Sequence, residues 1–188
     1  MKLNKIILIT GISASGKDFL LDNSKSNFKQ GIEVFALGSL IHADMKHRYP
    51  NIHGEPKSLR QATMENIRLS THNATDFILS RSSTTVINGH VAYKRQESVV
   101  VDIDMNLRLA PRDYIFIQSD PEDILYRRIT SEKDRVIDSI DSIVIQQEIA
   151  RAAISALASR IGARMTTVLN NDEVQKNAAL IAKIVNDE

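Results

Sequence analysis

The sequence contains no cysteine, which excludes disulfide cross-links, thiolate metal sites and thiol nucleophiles together. That absence suits a reducing compartment. Aromatic residues are few, with four Tyr and five Phe, leaving no obvious platform on which nucleic-acid bases would stack. Neither sign of charge dominates: 24 Lys and Arg face 23 Asp and Glu. With no basic stripe either, no bulk attraction to nucleic acid or to a membrane surface is expected. No apolar run approaches the roughly 20 residues that a membrane-spanning helix requires. Lys2 and Lys5 precede an N-terminal apolar run, but "IILIT" is too short for a signal-peptide core, so a cytoplasmic protein is expected. Repeats and low-complexity tracts are also missing.

What remains is an ordinary globular composition, 43% hydrophobic and 25% charged over 188 residues. This is enough for one domain that buries about two-thirds of its unfolded surface. "KIILIT" (5–10) is short, β-branched and apolar throughout, as in a strand buried on both faces. Further strands are predicted at 32–37, 84–89, 112–119 and 164–171. Helices are predicted from Gly16 into "KDFLLDNS", over 39–49 with Ser39 as cap and Leu40, Ala43 and His47 on one face, and over 58–80 with Leu59, Ala62, Ile67, Ala74, Phe77 and Ile78 near helical spacing. Three more are predicted over 120–129, started by Asp120 and Pro121, over 142–162, closed by Gly162, and over "DEVQKNAALIAKIV". Residues 91–111 read as either a strand or an irregular loop. Alternating strands and helices predict an α/β fold: three layers, with a five-stranded parallel sheet flanked by helices. In such sheets ligands bind beyond the carboxyl ends of the strands, which selects 11–18, 38–42, 88–95, 119–128 and 170–172.

"GISASGK" (11–17) has the spacing G-x-x-x-x-G-K, after a buried strand and opening a helix. Phosphate binding needs this pattern: glycines let backbone N–H groups curl around phosphate oxygens, and the helix start faces them with its partial positive charge. Gly11, Ile12, Ser13, Ala14, Ser15, Gly16, Lys17, Asp18 and Phe19 are the candidate ATP-phosphate residues, with Lys17 reaching the β- and γ-phosphates. Asp18 stands where a Ser or Thr hydroxyl usually meets Mg²⁺. Its carboxylate either ligates that metal itself or only favours the helix N-terminus electrostatically.

The third strand ends in "VINGH", where Asn88 occupies a position that is often acidic. The metal-serving carboxylate is therefore expected to have moved to Asp18, with Asn88 acting, if at all, through water. His90 follows as a candidate for substrate or a catalytic water, or as a structural histidine. Lys94 and Arg95 are candidates for an acceptor phosphate or solvated charges. Arg60 could hold a second phosphate bidentately or lie on the surface. Arg127, Arg128 and Arg135 form a basic cluster able to neutralise a transferred phosphoryl group and to close as a lid, or else a solvated helix end.

These residues, in this order, resemble the archaeal-type adenylate kinases along nearly the whole chain. The resemblance is carried by "GISASGK", "EVFALGSLIHADMK", "LRQATMENI", "VINGH", "DPEDILYRRITSEKDR" and "TTVLNN". It implies a three-layer P-loop NTPase-like fold making one P-loop kinase domain over 1–188, with an acceptor-binding region at about 38–80 and a short lid at about 127–136. It also implies Mg²⁺-dependent transfer of the ATP γ-phosphoryl group to a nucleoside monophosphate, AMP foremost. Arg60 would then hold the acceptor phosphate, with Gly38, Ser39, His42, His90 and Arg95 around the acceptor. Lys17 and the three lid arginines would be catalytic, and the turn holding Asn171 would lie against the donor adenine. Homo-oligomers occur among such proteins. Asp18, Asn88 and 91–111 depart from the pattern, and an aspartate after the loop lysine also occurs in phosphomevalonate kinases and some phage deoxynucleotide kinases. A kinase for another small phosphorylated acceptor therefore stays open, as does an ATP-binding switch or assembly factor with weak ATPase activity.

Overall fold

The computed structural model describes residues 5–48, 62–95, 98–131, 136–170 and 173–187. Five parallel strands form the central sheet in the order β2-β3-β1-β6-β7. They are β1 (Ile6–Thr10), β2 (Glu33–Ala36), β3 (Thr85–Asn88), β6 (Asp113–Gln118) and β7 (Arg164–Leu169). The register pairs Ile7 with Val86 on one side of β1 and with Asp113 on the other.

Strand pleating splits the apolar runs between two layers, because successive side chains point to opposite faces. Ile6, Leu8, Tyr114 and Phe116 join one core. Ile7, Ile9, Ile115 and Ile117 join the other. The first core packs on α3 (Met64–Leu79), α4 (Ile103–Leu109), α5 (Pro121–Ile129) and α6 (Ile140–Ile161), through residues such as Ile78, Met105, Ile124 and Ile154. The second packs on α1 (Lys17–Lys25) and α7 (Val174–Asn186), through Leu20, Leu21, Ile181 and Val185. This is the expected three-layer fold, and no helix among the described residues is long and apolar enough to cross a membrane.

The boundaries hold three surprises. α2 (Leu37–Arg48) follows β2 with no intervening residue, so Ser39 lies inside the first turn and does not cap it. The core-facing side of α2 is Leu37, Leu40, Ile41 and Met45, while Ala43 and His47 are exposed. α3 begins at Met64, where Thr63 accepts a hydrogen bond from the Asn66 N–H at 3.2 Å; Ala62 is buried but precedes the helix, and Phe77 is exposed. The expected start at Ser58 and Leu59 lies outside the described residues. The ambiguous 91–111 segment folds as an antiparallel hairpin, β4 (Ala92–Arg95) with β5 (Ser98–Val101), followed by α4. Asp102 caps α4 by accepting from the Met105 N–H.

α5 starts as predicted, with Asp120 accepting from the Glu122 N–H and Pro121 in the first turn. α6 begins two residues before the predicted start because Ser139 caps it, and it closes at left-handed Gly162. The net result for function is that the carboxyl ends of β1, β2, β3, β6 and β7 deliver residues 11, 37, 89, 119 and 170 to one edge of the sheet.

Candidate active site

Residues 11–16 bridge β1 and α1 in a loop with little room for side chains. A Cβ on Gly11 would stand 2.6 Å from the Ile117 carbonyl oxygen and from Ser15 Oγ. A Cβ on Gly16 would stand 2.1 Å from Asn170 Nδ2, and Gly16 is left-handed with φ 80°. Ala14 also has positive φ, 72°, a conformation that costs an L-residue free energy and persists only where surroundings enforce it.

Those surroundings are hydrogen bonds to the loop's carbonyls. The Gly11 carbonyl accepts from His90 Nδ1 at 2.7 Å, and that of Ile12 from the Ser15 N–H at 3.2 Å. The Ser13 carbonyl accepts from Arg128 Nη2 at 3.2 Å, and that of Ala14 from Arg127 Nη1 at 3.4 Å. The Ser15 carbonyl accepts from both Ser119 Oγ at 2.7 Å and Asn170 Nδ2 at 2.9 Å. Gln147 in turn clamps Ser119, accepting from its N–H and donating to its carbonyl. A loop whose acceptors are engaged in this way offers an incoming anion its donors and the positive end of α1.

Lys17 opens α1, its side chain 11% exposed and its Nζ 3.7 Å from the Asp18 carboxylate. Across the loop, Asn88 Nδ2 donates to Asp18 Oδ1 at 2.8 Å. A carboxylate only accepts, so this bond fixes the amide's orientation. The buried Asn88 Oδ1 is then left without a hydrogen-bond partner. An exposed carboxylate beside an orphaned amide oxygen is a hard-oxygen donor set suited to Mg²⁺, which takes one or two protein ligands and completes its shell with phosphate and water. Among the described residues no group of three or more His, Cys, Asp or Glu could form a dedicated protein cage.

A cavity of about 790 Å³ runs from this loop to the end of β2. Of the expected residues, Ile12, Ser13, Lys17, Asp18, Gly38, Ser39, His42, Asn88, His90, Arg95 and Arg128 all line it. Gly11, Ala14, Ser15 and Gly16 form the loop behind, and Phe19 is 55% exposed on α1. Arg127 reaches Ala14, Ser119 and Asp123 without lining the cavity. Arg60, Arg135 and Asn171 lie outside the described residues.

Two placements carry information absent from the sequence. Arg128 is not a solvated helix end: its side chain is 2% exposed and ion-paired with Asp138 at 2.7 Å. Arg95 donates to the Ala62 carbonyl at 2.6 Å, tying the hairpin to the approach of α3. Sequence reasoning also missed Asp138, Gln146, Tyr93 and Asp102, all on the cavity wall. Burial alone would push the Asp138 carboxyl up, but hydrogen bonds from Lys94 and Gln146 and the charges of Lys94 and Arg128 hold it below the usual carboxylate range. Asp102 moves the other way: burial pushes it up, the Met105 N–H opposes this and nearby Asp104 reinforces it.

The profile of a family described as AAA domain matches residues 10–144. The adenylate kinase of Methanothermobacter thermautotrophicus is 23% identical over 96% of this chain and 98% of its own. That of Thermoplasma acidophilum is 26% identical over 92% of this chain and 93% of its own. Among solved structures, shikimate kinase from Acinetobacter baumannii in complex with shikimate superposes with a TM-score of 0.60 at 12% identity, covering 97% of this chain and 93% of that one.

Proposed function

The chain belongs to the AAA domain family, and on that premise we propose that it transfers the γ-phosphoryl group of ATP to a nucleoside monophosphate, AMP foremost. The carrying observation is a single cavity that holds the phosphate-loop residues Ser13, Lys17 and Asp18 at one end and Gly38, Ser39 and His42 at the other. The two distant adenylate kinases, matched over nearly their full length, support the choice of acceptor.

In this reading the protein supplies position and charge with little covalent participation. The loop N–H groups and α1 hold the donor's phosphates, and Lys17 reaches the β- and γ-oxygens. Arg127 and Arg128 fix the loop carbonyls of Ala14 and Ser13, which keeps the donors aimed at the phosphates. Asp18 would hold Mg²⁺, with Asn88 acting through water, and the ion would supply neutralisation of phosphate charge when bound. Among the described residues, 38–48 and 62–80 would make the acceptor side; the expected lid at 127–136 lies partly outside them.

Incubation with ATP, Mg²⁺ and a panel of monophosphates tests this. Diphosphate product that disappears in Lys17→Ala supports the kinase. Turnover of only a non-nucleotide phosphate reassigns the acceptor, and slow hydrolysis indifferent to every acceptor indicates an ATP-dependent switch.

A further inference from the structure

Lys94 on β4 and Arg128 on α5 both line the cavity and share one carboxylate, that of Asp138. Their attachments differ. Arg128 is held from several sides: by Asp138 at 2.7 Å, by Gln146 Oε1 at 3.2 Å, and by the Ser13 carbonyl at 3.2 and 3.3 Å. Gln146 Nε2 also donates to Asp138 at 2.9 Å, so the carboxylate stays anchored to α6 whatever Lys94 does. Lys94 is 18% exposed, and among the described residues its ammonium bonds Asp138 alone.

We infer that Lys94 is a ligand for the acceptor's phosphate, and that Asp138 holds it in the free protein as a stand-in for that anion. This rests on the proposed kinase reading only for the identity of the phosphate's carrier. An ammonium on a flexible stem is a movable point charge, whereas a guanidinium bonded on several edges is not. A phosphomonoester carries about −1.5 to −2 charge at neutral pH, against −1 on the carboxylate. It therefore draws Lys94 across the cavity when it enters beside Ser13 and Lys17. The exchange leaves no buried charge unpaired, because Asp138 keeps Arg128 and Gln146. Without Asp138, a largely buried ammonium would face a heavy desolvation cost in the empty site. No covalent step is involved.

The test uses the full chain, with Mg²⁺ and a non-hydrolysable β,γ-imido analogue of ATP saturating the phosphate loop. Inorganic phosphate is then titrated in by calorimetry. Lys94→Met is expected to weaken phosphate binding about tenfold, the worth of one charge-assisted hydrogen bond, with analogue affinity unchanged. Asp138→Asn removes the competing anion and is expected to tighten phosphate binding a few-fold; should that variant fail to fold, the Lys94→Met arm decides. Absent phosphate binding in the unaltered protein, unchanged binding in Lys94→Met, or weaker binding in a folded Asp138→Asn overturns the inference. The readout is independent of turnover: a monophosphate panel without product removes the kinase reading and leaves this anion site standing, while normal turnover with unchanged Lys94→Met binding does the reverse.

Discussion

The side-chain amide of Asn88 donates to the carboxylate of Asp18 at 2.8 Å, joining the end of β3 to the first turn of α1. Two of the places where this chain departs from the archaeal-type pattern are thus in direct contact. One carries the negative charge and the other orients it. A neutral amide is what this geometry requires, since two carboxylates at that distance would repel.

Asn88→Asp therefore should not restore a conventional site. It exchanges a donor for a second anion against Asp18, and turnover is expected to fall at least tenfold, with the Mg²⁺ requirement altered. Asp18→Asn keeps a hydrogen-bonding partner for Asn88 but removes the charge, and the Mg²⁺ concentration for half-maximal rate is expected to rise about tenfold. Magnesium titrations of both variants check this; unchanged metal dependence and turnover in Asp18→Asn would remove Asp18 from the metal site.

Gly16→Ala meets two obstacles at once, a left-handed φ of 80° and the Asn170 side chain 2.1 Å from the new methyl. The strain falls on the loop whose Ser15 carbonyl Asn170 holds, so ATP affinity is expected to drop about tenfold or more. Adding Asn170→Ala relieves the clash but not the backbone strain. The double variant is expected to recover part of the loss, measured by calorimetric binding of the imido analogue; full additivity of the two losses would contradict the contact.

At the opposite edge of the sheet, Asp113 is buried beneath Arg112 and Arg164 at 2.9 and 2.6 Å. Burial pushes its carboxyl up, but hydrogen bonds from Arg164 and Arg112 outweigh this and hold it below the ordinary range. A carboxyl depressed by folding contributes stability that is fully present above its unfolded pKa of about 3.9 and is lost as pH falls through the lower folded value. Asp113→Asn is expected to cost roughly 2 kcal/mol at pH 7, below the 3–5 of a fully enclosed pair because both arginines reach solvent. Denaturant unfolding at pH 7 and near pH 3 checks it: the gap between variant and unaltered protein narrows in acid, and a constant gap would contradict the ionic assignment.

How much of this was legible in the sequence depended on whether the cause was local. Ile6 to Ile9 declare a doubly buried strand by composition, and Gly11, Gly16 and Lys17 declare the loop by spacing, so the sheet and its phosphate edge could be read directly. The start of α2 could not, because β2 runs into it at Leu37 and Ser39 offered a plausible but wrong cap. The β4–β5 hairpin is only four residues a side and resembles loop in any window. That Arg128 is a buried anchor of the loop could not be read, because its burial depends on Asp138 and Gln146, ten and eighteen residues away. Gln147 was invisible for the same reason: a helical glutamine becomes part of the site only when β6 ends beside it at Ser119.

The proposed activity is a transfer of phosphate between two molecules bound in this cavity. Its most direct test is product analysis after incubation with ATP, Mg²⁺ and each nucleoside monophosphate in turn, for the unaltered protein and for Lys17→Ala. A nucleoside diphosphate is expected from at least one acceptor, AMP first, formed in step with ADP and reduced by a factor of about 100 or more in Lys17→Ala. ADP formation at one slow rate whatever the acceptor, with no phosphorylated acceptor recovered, would contradict it.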